Sequence, residues 1–167
     1  MKTVCLKSIE IQNFKTFNGI FHIDLDQGLN VVLASSKYPL PNGIWDFFDA
    51  FRWGLGIMQH HGNRVLFGSN TSAQVKLSIL DEEEKEIVII RKFSKDSDFE
   101  LVSGVSEKEL ASLQKYLTSE QENKINFGST QILLIKNDKE IAMKAENMIG
   151  ITTDKYGVSK ILELSKS

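Results

Sequence analysis

Residues 28–56 of the chain read GLNVVLASSKYPLPNGIWDFFDAFRWGLG, and this stretch decides the fold. Residues 29–33 are almost continuously apolar, which predicts a central strand covered on both faces. Residues 45–55 have the length of a helix and are apolar nearly all round, so we predict a buried helix. The stretch therefore predicts a strand, a loop and a helix in direct succession.

A strand, loop and helix of this kind can hold nucleotide phosphates when the loop is rich in glycine and ends in Gly-Lys-Ser/Thr. The glycines let the backbone approach the phosphates, the lysine supplies positive charge and the hydroxyl binds magnesium. This chain has no Gly-Lys-Ser/Thr, and both of its prolines, Pro39 and Pro41, lie in the loop. We interpret the segment as a degenerate phosphate loop whose positions are Ala34, Ser35, Ser36, Lys37, Asn42, Gly43, Ile44 and Trp45.

Composition is that of an ordinary globular protein, with 167 residues of which 41% are hydrophobic and 25% are charged. A net charge of −2 excludes a strong overall attraction to nucleic acid or membranes, although it leaves a local basic patch open. Cys5 is the only cysteine, which excludes a disulfide framework and favours a reducing compartment. The sequence shows neither a signal-peptide pattern nor an apolar run that could span a bilayer, so we expect a cytoplasmic protein with one domain over residues 1–167.

Alternating apolar and polar residues predict strands along much of the chain. The predicted strands are residues 6–11 and 20–25 around a turn at 13–19, residues 74–79 and 86–93 around an acidic tip at 81–84, and residues 99–102 and 132–135. The first two pairs read as hairpins, because each pair is separated only by turn-forming residues.

A capping box formed by Ser106 and Glu109 predicts the start of a helix. Leucines follow at helical spacing, at Leu110, Leu113 and Leu117. Two more helices are predicted at residues 139–148 and 158–164, with glycines as breaks at Gly150 and Gly157. Strands and helices in this mixed order predict the α/β or mixed α+β class with a mixed sheet.

Taken in order, these segments resemble the N-terminal half of the ATPase head of SMC (structural maintenance of chromosomes) proteins and their RecF/RecN-type relatives. The resemblance covers nearly the whole chain and is most specific in residues 4–33 and 49–56. The matching pieces are VCLKSIEIQNFKTF at 4–17 with the family's opening strand and GFKSF turn, GLNVV at 28–32 with GLNVIVG, DAFRWGLG at 49–56 with DAIRWVLG, RVLFGS at 64–69 with DVIFNGS, residues 132–141 with the Q-loop strand, and ENMIGI at 146–151 with EEAAGIS.

The resemblance implies a P-loop NTPase-like ABC head N-lobe, with a mixed, strongly bent sheet and antiparallel hairpins. It further implies that residues 1–167 are this lobe without the coiled coil or the C-terminal lobe. In the family, the signature motif, the Walker B carboxylates and the switch histidine lie beyond the coil, whereas this sequence stops at Ser167 before any coil. By that mechanism, the chain is not expected to hydrolyse ATP alone.

Departures from the family fall on the nucleotide contacts. Counting back from the DAFRWGLG match places Ile44 and Trp45 where the lysine and serine of the phosphate loop should be. Aligning residues 41–43 with the family's PNG still leaves no Gly-Lys-Ser/Thr after them. Asn137 stands at the Q-loop glutamine. Lys37 is either a displaced phosphate ligand or, as we prefer, a solvated loop lysine.

Two residues match the family turn near the adenine, Lys15 and Thr16, so a residual purine contact is one interpretation. The alternative, which we favour, is a tight turn between strands with exposed polar residues. Asp46 is interpreted as a partner of the helix dipole rather than as a metal ligand.

A nucleic-acid contact is a further hypothesis, because Arg52 and Arg64 could form a basic groove with Lys92 and Lys95. A surface role is preferred for them, since basic and aromatic residues do not interleave. The adjacent histidines at 60 and 61 lack a third ligand nearby, so no metal site is expected. No arrangement of Ser, His, Cys or paired carboxylates predicts catalysis.

The leading hypothesis is therefore a non-catalytic, SMC-like pseudo-ATPase head lobe that acts as a binding or assembly module and holds no cofactor. In the family the two lobes share one sheet, so an isolated N-lobe should leave strand edges uncovered. We expect a homodimer or a protein partner that supplies a complementary lobe, in chromosome organisation or DNA repair. The alternatives are a lobe that retains ATP, ADP or DNA binding through a reshaped loop, or a piece of a longer SMC-like ATPase.

Overall fold

The computed structural model describes residues 4–35, 42–57, 62–96, 99–121, 124–128, 131–135 and 147–164. The predictions for Ser36, Lys37 and Asn137, for the two prolines and for the paired histidines lie outside these ranges. Within them, the chain forms strands in two sheets, two α-helices and a short 3-10 helix at Gly62–Val65.

The first sheet is antiparallel throughout and contains both predicted hairpins. Its strands, in the spatial order β2-β1-β4-β5-β6, are β1 (Cys5–Gln12), β2 (Ile20–Asp24), β4 (Ser72–Leu80), β5 (Glu86–Ser94) and β6 (Phe99–Ser103). The alternating pattern explains its inner face, because Val75, Leu77 and Ile79 are fully buried while the residues between them are not, apart from Ser78.

The second sheet is mixed, as the sequence predicts, and β3 lies near its centre. Its strands, in the order β11-β10-β3-β9-β8-β7, are β3 (Leu29–Ser35), β7 (Leu117–Gln121), β8 (Lys124–Phe127), β9 (Gln131–Ile135), β10 (Asn147–Thr153) and β11 (Ser159–Leu164). β9 and β10 run parallel to β3 on either side, and the other pairs are antiparallel. Together the two sheets confirm the mixed α/β class.

Helix α1 (Asn42–Gly54) lies between the sheets and contacts β4 and β5 of the first and β10 and β11 of the second. Contact on two sides explains its apolar surface, since Phe47, Phe48, Phe51 and Trp53 are completely buried. Within the described ranges, no helix has the length and apolar character needed to cross a membrane.

Helix α2 (Glu107–Gln114) begins at the predicted capping box. The Glu109 N–H donates to Ser106 Oγ and the Ser106 N–H donates to Glu109 Oε1, both at 3.1 Å. The helix ends at Gln114, so Leu117 is not its last apolar position but the first residue of β7, and the β7–β8 hairpin was not predicted.

The prediction of helices near the C-terminal end is wrong for the described residues. Residues 158–164 contain strand β11, and Asn147 and Met148, the end of the other predicted helix, begin β10. Gly150 lies inside β10 rather than at a break. Ser159 and Ile161 are buried and Lys160 is exposed, which is the period of a strand.

Candidate phosphate site at the start of helix α1

The carboxyl ends of β3, β9 and β10 lie on the same side of the second sheet, because these strands are parallel. Ligands of open α/β sheets bind outside the carboxyl ends of the strands, and the free N–H groups at the start of a helix favour anions. Helix α1 follows β3 and begins at Asn42, so Gly43, Ile44 and Trp45 lie in its first turn. Ala34 and Ser35 end β3. The described residues of the segment that we interpreted as a degenerate phosphate loop therefore lie where a phosphate site would be.

The backbone of Gly43 is pressed directly against strands β10 and β11. A β-carbon at this position would lie 2.5 Å from Ser159 Oγ, 2.8 Å from Thr153 Oγ1 and 2.9 Å from Ile151 Cγ2. Only glycine fits at such a distance, because a real β-carbon would overlap these atoms. The glycine thus serves close packing within the protein at the first turn of α1.

Ile44 faces the protein core rather than solvent. Its side chain is only 4% exposed and belongs to the main cluster of buried apolar residues, while Trp45 is partly buried. A lysine at Ile44 would place its stem in the core, and neither Ile44 nor Trp45 provides the charge or the hydroxyl that a phosphate and its magnesium require.

Three hydroxyl groups and one carboxylate form a continuous chain beside Gly43. Ser159 Oγ donates to Thr16 Oγ1 at 2.8 Å, and Thr16 Oγ1 donates to Asp46 Oδ2 at 2.7 Å. Thr153 Oγ1 lies 3.0 Å from Ser159 Oγ, and because a hydroxyl has one hydrogen, Thr153 is the donor of that bond. We refer to Thr153, Ser159, Thr16 and Asp46 as the hydroxyl chain.

The carboxyl group of Asp46 ends the hydroxyl chain in a buried environment. Burial raises its pKa, and the neighbouring Asp49 adds to this, while the hydrogen bond from Thr16 and the charge of Lys15 oppose it. The interpretation of Asp46 as a helix-dipole partner is wrong, because the first turn of α1 contains no acidic residue. Its acceptor bond to Thr16 instead ties the opening turn of the chain to the helix.

Lys15 and Thr16 lie in a turn that is fixed on both sides. The Lys15 N–H donates to the Val65 carbonyl at 2.9 Å, and the Ser159 N–H donates to the Thr16 carbonyl at 2.8 Å. The Lys15 ammonium is 2.7 Å from Asp49 Oδ2. The expected tight turn is present, but its polar groups are directed at α1 and partly buried, not exposed. The residual purine contact stays a prediction.

The two arginines proposed for nucleic acid differ in environment. Arg52 Nη1 is 3.2 Å from Asp49 Oδ1 and its side chain is only 14% exposed. Arg64 is exposed in the 3-10 helix, and Lys92 and Lys95 are also exposed. Nucleic-acid contact by these residues stays a prediction. In the described ranges, no group of three His, Cys, Asp or Glu side chains could hold a metal ion.

Sequence reasoning missed the two hydroxyls that press on Gly43: Ser159 was placed in a predicted helix at residues 158–164, and no strand was predicted around Thr153. The signal that could have found them is the run of Ile149, Ile151, Thr152 and Thr153, whose β-branched side chains favour strands. Turn residues 154–157 then separate it from a second run, as in a hairpin.

Comparison with protein-family models finds no match, and comparison with curated proteins finds none either. Solved structures do match. The SMC head domain from Thermotoga maritima has 13% identity and a TM-score of 0.63, covering 99% of this chain and 100% of that chain. The SmcHead bound to the C-winged helix domain of ScpA has 12% identity and a TM-score of 0.67, covering 96% and 97%.

The recombination mediator protein RecF with ATPrS, in the RecFOR pathway, also matches, with 13% identity and a TM-score of 0.51. That match covers 61% of this chain, which spans about a quarter of the RecF chain, 27%. The TM-scores establish a shared fold, whereas sequence identities this low leave the activity of the chain open. These matches show that the chain has the fold of the SMC and RecF ATPase heads.

Proposed function

We propose that this chain is a non-catalytic SMC-like head module, a pseudo-ATPase that serves as a binding or assembly unit. The observation that carries the proposal is the packing of the first turn of α1. Gly43 lies against the hydroxyls of Ser159 and Thr153, and Ile44 lies in the core. A helix start that is filled in this way has lost the open, glycine-lined space that phosphates occupy.

The charges around the start of α1 also oppose a phosphate. Asp46 lies one turn into α1 and Asp49 lies near its middle, and Lys15 and Arg52 both form ion pairs with Asp49. A bound phosphate would compete with Asp49 for those cations and would lie near a second carboxylate, Asp46. Like charges that are close together in a partly buried site repel strongly.

Uncovered strand edges support assembly with a partner. Within the described ranges, β2 and β6 are the outer strands of the first sheet, and each presents an exposed apolar residue, Ile20 at 62% and Leu101 at 58%. Edge strands with apolar side chains invite pairing with another chain. The solved SmcHead is bound to a domain of ScpA. We propose that this module likewise pairs with a second copy or a protein partner in the cytoplasm, in chromosome organisation or DNA repair.

Titration calorimetry with Mg-ATP, Mg-ADP and a short DNA duplex tests the non-catalytic proposal. We expect no saturable heat with either nucleotide at micromolar concentration. Saturable binding of Mg-ATP would contradict the proposal and would favour a reshaped nucleotide site. A duplex signal that weakens with salt would instead favour the nucleic-acid alternative.

Light scattering over a range of concentrations tests assembly through strand edges. If β6 pairs with a second copy, Leu101→Lys should dissociate the assembly and Ile20→Lys should leave it intact. Tyr156→Lys serves as the control, since Tyr156 is 79% exposed in the β10–β11 turn. A monodisperse monomer at all concentrations, together with no partner recovered from the source cells, would contradict the assembly role.

A further inference from the structure

A groove of about 460 Å³ separates the tip of the β4–β5 hairpin from helix α2. None of its lining residues belongs to the candidate phosphate site. Its floor is apolar and consists of Val4, Ile87, Leu113 and Tyr116, and its rim consists of Asp81, Glu82, Glu83, Lys108, Glu109 and Ser112. We refer to this feature as the acidic groove.

The rim of the acidic groove is strongly negative, since it carries four carboxylates and one ammonium, that of Lys108. Asp81 Oδ1 accepts from the backbone N–H groups of Glu83 at 2.9 Å and Lys85 at 2.8 Å. Hydrogen bonds from Ser106 lower the pKa of Glu109, and the Lys85 charge adds a smaller effect. Because these donors are mostly neutral N–H and O–H groups, the carboxylates of Asp81 and Glu109 are held in place without loss of their negative charge.

The floor of the acidic groove leaves apolar surface within reach of a ligand. Val4 and Leu113 are buried at 3% and 6% exposure, whereas Ile87 and Tyr116 are only partly buried. Apolar clefts with a polar rim are the usual form of a binding site. A negative rim around such a floor repels nucleic acid, which is itself negative, and selects a positive partner.

We propose that the acidic groove binds a short basic segment of a protein partner, in which lysines or arginines flank a large apolar side chain. The apolar side chain lies on the floor and the cations lie beside the carboxylates of the hairpin tip and of Glu109. This inference rests on the proposed role as a binding module and supplies the chemistry of one partner.

The probe is an eight-residue peptide with four lysines around a central Trp-Leu pair, titrated into the full chain labelled with ¹⁵N. Two matched peptides carry glutamates in place of the lysines, or Ser-Ser in place of Trp-Leu. We expect saturable shifts in the amides of Glu83, Ser112 and Leu113 with the first peptide only. Added salt should weaken the binding, because the attraction is between exposed charges.

Variants on α2 separate groove binding from general attraction. Ser112→Arg places a bulky cation on the rim, whereas Ala111→Arg adds the same charge at a neighbouring exposed residue that does not line the groove. Ser112→Arg should weaken peptide binding about tenfold and Ala111→Arg less than about twofold. Glu82→Lys with Glu83→Lys, both exposed, provides a second charge reversal with the same expected loss.

Equal binding of the lysine and glutamate peptides, equal effects of the two arginine variants, or no saturable shift at millimolar peptide would overturn the proposal. If the groove variants instead dissociate a dimer of the chain, the occupant is a second copy and the proposal also fails. Nucleotide titration is independent of these outcomes. Binding of Mg-ATP together with peptide binding would contradict only the pseudo-ATPase role. Absence of both Mg-ATP binding and peptide binding would contradict only the proposal for the acidic groove.

Discussion

A carboxylate accepts hydrogen bonds near each end of helix α1, Asp46 near the N-terminal end and Glu100 near the C-terminal end, and the two carboxylates have different partners. At the C-terminal end, Glu100 accepts from Trp53 Nε1 at 2.8 Å and from Arg91 Nη1 at 3.0 Å. Gly56, at φ +77°, follows the helix in the left-handed conformation that suits a helix end. This end therefore combines a conventional helix termination with a partly buried ion pair.

At the N-terminal end, the acceptor Asp46 is bound by a neutral hydroxyl, that of Thr16, and burial raises its pKa. The ammonium of Lys15 lies on Asp49 instead, at 2.7 Å. The end of α1 that resembles a nucleotide site is thus packed tightly at Gly43 and Ile44, and its carboxylate, Asp46, is bound by a neutral hydroxyl and is more costly to ionise than usual. The opposite end is stabilised by charge.

The largest expected effect is at Ile44, which our count back from the DAFRWGLG match places at the family's phosphate-loop lysine. Ile44→Lys should lower the free energy of unfolding by about 4 kcal/mol, because it places an ammonium stem in the core. Urea denaturation measures this, and Ile44→Met, which conserves volume, should cost about 1 kcal/mol. A lysine variant as stable as the wild type would show that position 44 faces an open site.

At the C-terminal end, Glu100→Gln should destabilise the protein by about 2 kcal/mol. The substitution removes the charge that compensates the buried guanidinium of Arg91, and the figure is reduced from that of a fully buried pair because the Glu100 side chain is 29% exposed. Glu82→Gln, at an exposed position, is the control and should change stability by less than about 0.5 kcal/mol. Equal effects of the two variants in urea denaturation would remove the contrast between the helix ends.

Gly43→Ala should cost about 2 kcal/mol, because its β-carbon would overlap the Ser159 and Thr153 hydroxyls. The cost should fall in a Ser159→Ala background, since the closest of the overlapping atoms is then absent. A double-mutant cycle by thermal or urea denaturation measures this coupling. Additive effects of the two substitutions would mean that the first turn of α1 does not pack on β11 as described.

The smallest effect has the opposite sign. Asp46→Asn should raise the free energy of unfolding at pH 7 by about 1 kcal/mol, because it removes a charge whose burial opposes ionisation and keeps an acceptor for Thr16. The folded-state pKa is raised above the unfolded value, so wild-type stability falls as pH rises through the interval between the two, and the variant avoids this loss.

Denaturation at two pH values therefore provides the test for Asp46→Asn. At pH 3, below both pKa values, the wild type and the variant should be nearly equal in stability. At pH 7 the variant should be the more stable. A variant that is weaker at pH 7 would show that the carboxylate stabilises the helix start as an ion, like Glu100 at the other end.

Strand β3, the C-terminal end of helix α1 and the start of helix α2 could be predicted because their signals are local. The apolar run before the loop, the all-round apolar helix and the capping box of α2 each depend on residues that are near in sequence.

The packing at the N-terminal end of α1 could not be predicted because it joins three segments that are distant in sequence, namely the turn at residues 13–19, α1 and the β10–β11 hairpin. Thr16, Asp46, Thr153 and Ser159 meet only after β10 pairs with β3 and β11 pairs with β10. Residues 158–164 also carry apolar residues at spacings that fit a helix as well as a strand, and tertiary pairing decides between them. The ion pair between Lys15 and Asp49 could not be predicted for the same reason, because its two residues are far apart in sequence and meet only in the folded chain.

Residue-specific NMR at the first turn of α1 tests whether the start of this helix binds a nucleotide or a phosphate. The full chain labelled with ¹⁵N is titrated with Mg-ATP, with Mg-ADP and with inorganic phosphate, and the amides of Gly43, Ile44 and Trp45 are followed. We expect no saturable shift of these amides at millimolar ligand, because Gly43 and Ile44 pack against the protein and Asp46 and Asp49 lie nearby. Saturable shifts of the same amides at micromolar Mg-ATP would contradict it.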